Sequence, residues 1–116
     1  IWDGWIPERA VTTPPAGVRG LLGGLSAEDK AKLAGGSVED WSRDSWAAAR
    51  EFAYASLLDD PCGPLPKERP TLTEEDVQRL IPVVRRQVTA GGLRLARMLD
   101  DALLHGKAPE RRRGGD

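Results

Sequence analysis

The 116-residue chain lacks several residue types, and each absence narrows the range of functions. It has one cysteine, Cys62, and therefore no internal disulfide and no cysteine-based zinc site. Its single histidine, His105, nearly excludes a Ser-His-Asp or Cys-His catalytic arrangement. Asparagine is absent, which leaves no glycosylation sequon.

The chain also has no excess of one charge and no long apolar run. Lys and Arg number 17 and Asp and Glu number 18, so the net charge is −1. This balance does not supply the long-range field on which duplex-DNA binding depends. No apolar run approaches the roughly 18–20 residues that span a bilayer, and we predict no membrane association. The length predicts one domain. The first residue is Ile1 rather than methionine, and we expect the chain to be part of a longer protein.

Capping signals and apolar periodicity predict an all-α fold. Ser26, Ser37 and Thr73 each precede acidic residues in the pattern that begins a helix. The first predicted helix stops at Gly35-Gly36, and the second runs to about Leu58. No segment shows the period-two alternation of a strand.

A long amphipathic segment follows Thr73. Its apolar residues recur at steps of three and four and share one helix face: Val77, Leu80, Ile81, Val84, Val88, Leu95, Leu99 and Leu103. Pro82 interrupts the pattern, so we predict a short helix to about Ile81, a bend, and a long helix over 82–104. Gly91-Gly92 cost a helix about 1 kcal/mol each. Glycines kept at that cost often let another backbone approach closely.

The domain is expected to cover residues 1–105. Its 7–24 segment carries Pro7, Pro14, Pro15 and several glycines, which predicts an irregular connection. Residues 106–116 are predicted to be a disordered tail. Its Arg111-Arg112-Arg113 run is interpreted as solvated rather than as a nucleic-acid contact.

Asp3 is the candidate metal ligand, and no catalytic residue is predicted within the chain. It lies between Trp2 and Trp5. Catalytic zinc sites use histidine nitrogens and carboxylate oxygens, and two ligands often stand one helical turn apart. The helical partner of Asp3 would therefore lie four positions earlier, ahead of Ile1.

An ordered series of motifs follows Asp3. They are Trp41-Ser42-Arg43-Asp44-Ser45 with Ala49 and Tyr54, Leu72-Thr73-Glu74-Glu75, Ile81-Pro82-Val83-Val84 with Gln87-Val88, and Ala90-Gly91-Gly92-Leu93-Arg94-Leu95-Ala96 with Leu99. The series resembles the C-terminal half of the single-strand-specific zinc nucleases, the nuclease S-one/P-one family. Ile1-Trp2-Asp3 looks like the end of that family's H-x-x-W-D segment. The resemblance covers most of residues 1–104.

The resemblance implies a mainly α-helical phospholipase C/nuclease fold, with three zinc ions held in a cleft by His and Asp residues. Zinc lowers the pKa of bound water to near 7 and neutralises charge on phosphoryl oxygens. The implied substrates are single-stranded RNA and DNA and 3′-nucleotides, and the implied location is secreted or periplasmic. Asp3 would be one zinc ligand, and the others would belong to a missing N-terminal half of the domain. The 116 residues alone are therefore expected to be inactive.

Three positions depart from the family pattern. Asp44 stands where Glu is usual, Asp100 stands where Asn is usual, and Gly4 follows Asp3 where some members have a polar residue. In the helical motifs we expect four residues to pack and orient neighbouring groups rather than to catalyse: Trp41, Trp46, Tyr54 and Arg94. We also expect the aromatic stripes to be buried.

Other functions compete with the zinc nuclease. The main alternative is a non-catalytic helical interaction module, in which Pro82 and Gly91-Gly92 shape a docking surface. A phospholipid substrate is a minor option, because zinc-dependent phospholipase C shares the metal-site architecture. A helical nucleic-acid binder that uses Arg111 to Arg113 ranks third.

Overall fold

The computed structural model describes residues 4–55, 57–60 and 62–106. Among these residues the fold is all-α, without strands, as predicted. Its elements in chain order are α1 (Trp5–Thr12), α2 (Gly17–Leu22), α3 (Ala27–Ala34), α4 (Val38–Ala48), a π-helical segment (Ala49–Tyr54) and α5 (Glu74–His105). The predicted tail over 106–116 lies outside the described residues, apart from Gly106.

Three helices begin with the same capping device, and all three were predicted. In each, a hydroxyl side chain accepts a hydrogen bond from the backbone N–H three residues on, and an aspartate there accepts one from the capping residue's N–H. The pairs are Ser26 with Asp29, Ser37 with Asp40, and Thr73 with Asp76. The hydrogen bonds from the Ser37 and Thr73 backbones lower the pKa of Asp40 and of Asp76.

The predicted irregular connection over 7–24 is wrong, because α1 and α2 occupy most of it. Pro7 is the third residue of α1, where a backbone N–H has no partner inside the helix. The proline therefore fits the first turn. Pro14 and Pro15, joined by a cis peptide bond, separate α1 from α2.

The predicted break into two helices at Pro82 is also wrong, since α5 continues through Pro82 as one helix of 32 residues. Pro82 cannot donate to the carbonyl of Gln78, but both residues are exposed, so water can donate to that oxygen. Leu80, Ile81 and Val84 are buried on either side of the proline. Their burial offsets the lost hydrogen bond and keeps the helix continuous.

The second predicted helix ends earlier than expected. Regular α4 stops at Ala48 and continues as the π-helical segment to Tyr54, rather than as α-helix to about Leu58. The wider turn is visible where the N–H of Ala55 donates to the carbonyl of Arg50 at 3.3 Å.

The core is small and lies between α1 and the N-terminal half of α5. Its buried members are Ile6, Ala10, Val77, Leu80, Ile81 and Val84, and Phe52 and Leu72 pack against them. The predicted apolar face of α5 is covered in its N-terminal half, whereas Leu95, Leu99 and Leu103 in its C-terminal half are exposed.

Candidate functional site

The candidate zinc ligand Asp3 lies outside the described residues, as does Trp2. The description begins at Gly4, which is the N-cap residue of α1 and accepts a hydrogen bond from the N–H of Glu8 at 3.0 Å. The structure therefore describes the helix that directly follows Asp3, but not Asp3 itself.

Helix α1 is fixed to α5 along its length. Ile6 and Ala10 are buried against α5. Arg9 donates two hydrogen bonds, at 2.7 and 2.9 Å, to the Glu74 carboxylate at the start of α5. The hydrogen bond from Arg9 lowers the pKa of Glu74 to about 2. The burial of Ile6 and Ala10 and the pairing of Arg9 with Glu74 thus hold α1 against α5.

Arg85 also contacts the C-terminal end of α1. Its guanidinium donates to the carbonyls of Ala10 at 2.6 Å, Thr13 at 3.1 Å and Pro15 at 2.7 Å. The Ala10 carbonyl lies in the last turn of α1, where carbonyls lack intrahelical partners, and the carbonyls of Thr13 and Pro15 follow the helix. The sequence did not predict this role of Arg85; its only signal is an arginine beside the apolar face of α5.

A second cluster joins α3, α4 and α5 around Asp44. Arg94 donates to the Asp44 carboxylate at 2.9 Å, and Arg86 donates to it at 3.2 Å. Burial opposes ionisation of Asp44, but the hydrogen bonds from both arginines outweigh it and lower the net pKa. Arg94 also donates through Nε to the carbonyl of Leu33 at 3.0 Å. Since Leu33 lies in the last turn of α3, Arg94 ties three helices together.

The indole ring of Trp41 packs against the arginines of this cluster. The guanidinium carbons of Arg94 and Arg97 each lie 5.6 Å from the centre of its ring system, within the range of cation–π attraction. Its indole N–H donates to the carbonyl of Gly35 at 2.6 Å. Gly36 has φ +85°, a left-handed conformation that favours glycine, and a Cβ there would lie 3.3 Å from the Asp40 side chain. Trp41 and Arg94 therefore pack and orient, as the sequence analysis proposed.

The expected burial of the aromatic residues is wrong for Trp46 and Tyr54, which are 60% and 55% exposed. Trp46 stacks instead under Arg50, whose guanidinium carbon lies 4.6 Å from the ring. This i, i+4 pair lies on the exposed side of the helix, whereas Ala48 is buried.

Two apolar clefts flank the core. The first holds about 370 Å³ between α4 and α5 and is lined by Pro7, Ser45, Ala48, Ala49, Val84, Gln87 and Val88. The second holds about 330 Å³ and is lined by Ile6, Ala49, Ala53, Tyr54, Leu57, Pro70, Leu72 and Leu80. Ala49 lines both clefts, so the two clefts adjoin each other at this residue.

The described residues contain no group of three or more His, Cys, Asp and Glu side chains that could hold a metal ion. Cys62 is exposed in a turn, where its N–H donates to Asp60 at 3.0 Å. His105 is the last residue of α5 and is exposed. A zinc site with three such ligands would therefore need at least one ligand from outside the described ranges.

Comparisons with protein families, curated proteins and solved structures found no match to this chain. Within the described ranges, no helix is both long and apolar enough to cross a bilayer.

Proposed function

We propose that this chain is the C-terminal helical part of a zinc-dependent phosphodiesterase that acts on single-stranded nucleic acid and 3′-nucleotides. The contact between Asp44 and Arg94 carries the proposal. These residues belong to the first and last motifs of the ordered series after Asp3, and they are 50 positions apart in the chain. A shared contact supports reading the motifs as parts of one fold.

The proposed role of the chain is to supply one zinc ligand on a rigid base. A ligand must be held within about 0.5 Å of its working position. Helix α1 directly follows Asp3. Its Ile6 is buried against α5, and in its C-terminal half Arg9 contacts Glu74 and the Ala10 carbonyl accepts from Arg85. Three zinc ions are expected in the intact protein, with their other ligands outside this chain, and export from the cytoplasm belongs to the same proposal.

The experiment uses the gene product that contains this chain. Asp3→Ala is expected to lower the bound zinc and to abolish hydrolysis of single-stranded DNA and 3′-AMP. Asp59→Ala, an exposed loop carboxylate, is the matched control and should change neither. Zinc content is measured by elemental analysis, and activity is measured with and without chelator. Absent or chelator-insensitive activity would contradict the proposal, and phospholipid vesicles as a third substrate test the phospholipase alternative.

A second candidate function is the non-catalytic helical interaction module. It is favoured by the apolar residues of α5 that remain exposed beyond Val88. The same Asp3→Ala variant separates the two functions. If the wild type and Asp3→Ala have the same zinc content and neither hydrolyses the substrates, the interaction module is favoured.

A further inference from the structure

One exposed side of α4 and the π-helical segment carries two aromatic rings with an arginine between them. Trp46, Arg50 and Tyr54 follow each other at four-residue steps, which is close to one turn in either type of helix. All three residues are exposed, and Trp46 and Tyr54 are the large aromatic members. We call these three residues the aromatic ladder.

Arg50 orients the Trp46 ring and leaves part of it accessible. The guanidinium carbon lies 4.6 Å from the ring centre, and a cation–π contact at this distance favours one orientation of the ring. Trp46 is still 60% exposed in the presence of this contact. The indole therefore offers flat surface to a further planar group.

Arg50 also brings a positive charge to the space between the two rings. Within the described ranges it takes part in no ion pair. Arg43, the preceding arginine on α4, is paired with Glu39. Glu51 follows Arg50 in the chain but lines a cleft with Val83 of α5. The ladder thus places one unpaired cation between two exposed aromatic side chains.

The Tyr54 end of the aromatic ladder lies beside the start of α1. Tyr54 and Ile6 line the same apolar cleft, together with Ala49 and Ala53. Ile6 is the second residue of α1 and stands three positions after Asp3 in the chain. A linear molecule that lies along the ladder would therefore run towards the helix that follows the candidate zinc ligand.

We propose that the aromatic ladder binds single-stranded nucleic acid, with one base stacked on Trp46, another on Tyr54 and a phosphate between them at Arg50. The proposal rests on the proposed function, because it assigns a binding surface for the same class of substrate. Exposed aromatic rings stack on unpaired bases of any sequence. Eight residues of helix rise about 12 Å, so the two rings take bases from different nucleotides. Bases inside a duplex are already stacked on each other and cannot use the rings.

The surroundings of Trp46 favour a nucleic acid over a protein partner. Aromatic and arginine side chains also dominate protein interfaces, but there they sit within a ring of contacts that excludes water. The exposed residues that flank Trp46 on α4 are Ser42, Arg43 and Ser45, which supply no apolar surround. Base stacking needs only the flat face of the ring. Because a single unpaired cation contributes, the affinity should depend mainly on stacking and only weakly on salt.

The first experiment measures the binding of a fluorescein-labelled oligothymidylate of about ten nucleotides by anisotropy. It uses the 116-residue chain in EDTA, so that hydrolysis does not interfere. Trp46→Ala and Tyr54→Ala are each expected to weaken binding at least about fivefold. Trp46→Phe keeps a ring and should recover most of the affinity.

Val38→Ala is the matched control, because Val38 is an exposed apolar residue of the same helix without a ring. It should bind the oligomer like the wild type, and circular dichroism should show unchanged helix in every variant. Ring variants that bind as tightly as the wild type would overturn the proposal. So would a wild-type chain that does not bind the oligomer at about 100 μM, and the ladder would then be a contact for another kind of partner.

The second experiment separates stacking from charge. An abasic oligomer of the same length has the same backbone charge without bases, and it should bind at least about tenfold more weakly than oligothymidylate. Arg50→Gln should weaken the binding of oligothymidylate and lower the slope of log K against log salt by about 0.7, the share of one phosphate contact. Equal binding of the two oligomers would overturn the proposal, as would equal binding of a duplex and a single strand.

The binding assays and the zinc assay fail separately. The binding assays contain no zinc, so a negative result removes the aromatic ladder and leaves the zinc content of the Asp3→Ala variant to be judged by itself. A gene product that binds oligothymidylate through the ladder but holds no zinc would support the ladder and contradict the enzyme.

Discussion

Arg94 on α5 and Asp44 on α4 form a hydrogen-bonded ion pair of 2.9 Å that joins segments 50 residues apart in the chain. The Arg94 side chain is only 13% exposed, and its Nε is engaged with the carbonyl of Leu33 at the same time. One guanidinium therefore holds α3 and α4 against α5 where the apolar core does not extend.

Replacing Arg94 should destabilise the fold. Arg94→Ala leaves the partly buried Asp44 carboxylate with Arg86 alone and removes the donor to Leu33, so a loss of about 2 kcal/mol is expected. Arg94→Lys should recover little of it, because an ammonium group cannot make the same forked contacts. Urea unfolding of each variant measures the change. Arg43→Ala, which removes an exposed i, i+4 pair with Glu39, is the control and should cost about 0.5 kcal/mol or less. Equal losses at positions 43 and 94 would contradict the structural role of Arg94.

The pairing of Arg9 with Glu74 predicts a specific pH dependence. The pKa of Glu74 falls from 4.5 to about 2 in the folded chain. Folding therefore favours the ionised carboxylate, and the resulting stabilisation is present above pH 4.5 and is lost as the pH falls to about 2. The difference in the free energy of unfolding between the wild type and Glu74→Gln should shrink across this interval.

The measurement is a series of urea unfolding curves between neutral pH and pH 2. Glu75→Gln, which keeps the Arg9–Glu74 pair, is the control. Because Glu74 remains largely exposed, added salt should reduce the effect at neutral pH. A difference between the wild type and Glu74→Gln that is constant from pH 5 to pH 2 would contradict the prediction.

Local features of the fold could be predicted from the sequence, and long-range features could not. Each capping pair, such as Thr73 with Asp76, forms within four residues, so its sequence pattern determines it. The contact of Arg94 with Asp44 depends on how whole helices pack, and no local spacing indicates it. Pro82 misled the prediction because burial of neighbouring side chains outweighed a local helix-breaking preference. Asp3 could be proposed as a zinc ligand only from the resemblance to the zinc nucleases. A zinc site needs ligands from several distant positions, which no local pattern in this chain brings together.

The cap of α5 should contribute measurably to stability. The Thr73 hydroxyl accepts from the N–H of Asp76 at 3.1 Å and also donates to its carboxylate at 2.7 Å. Thr73→Ala should cost about 1 kcal/mol, whereas Thr73→Ser should cost little because the hydroxyl remains. Thr71→Ala, in the exposed loop ahead of the cap, is the control and should stay within about 0.5 kcal/mol of the wild type. Thermal or urea unfolding checks the order of the three variants.

Removing the proline inside α5 should stabilise the chain. Pro82 is exposed at the ninth position of a continuous helix, so the carbonyl of Gln78 lacks its helical donor. Pro82→Ala restores that N–H, and we expect a gain of about 2 kcal/mol after allowing for the greater freedom of the unfolded chain. Pro82→Gly restores the same N–H but has lower helix propensity, so its stability should lie about 1 kcal/mol below that of Pro82→Ala. Urea midpoints, with circular dichroism to follow helix content, measure both. A loss of stability in Pro82→Ala would mean that the proline makes a packing contact that outweighs the missing hydrogen bond.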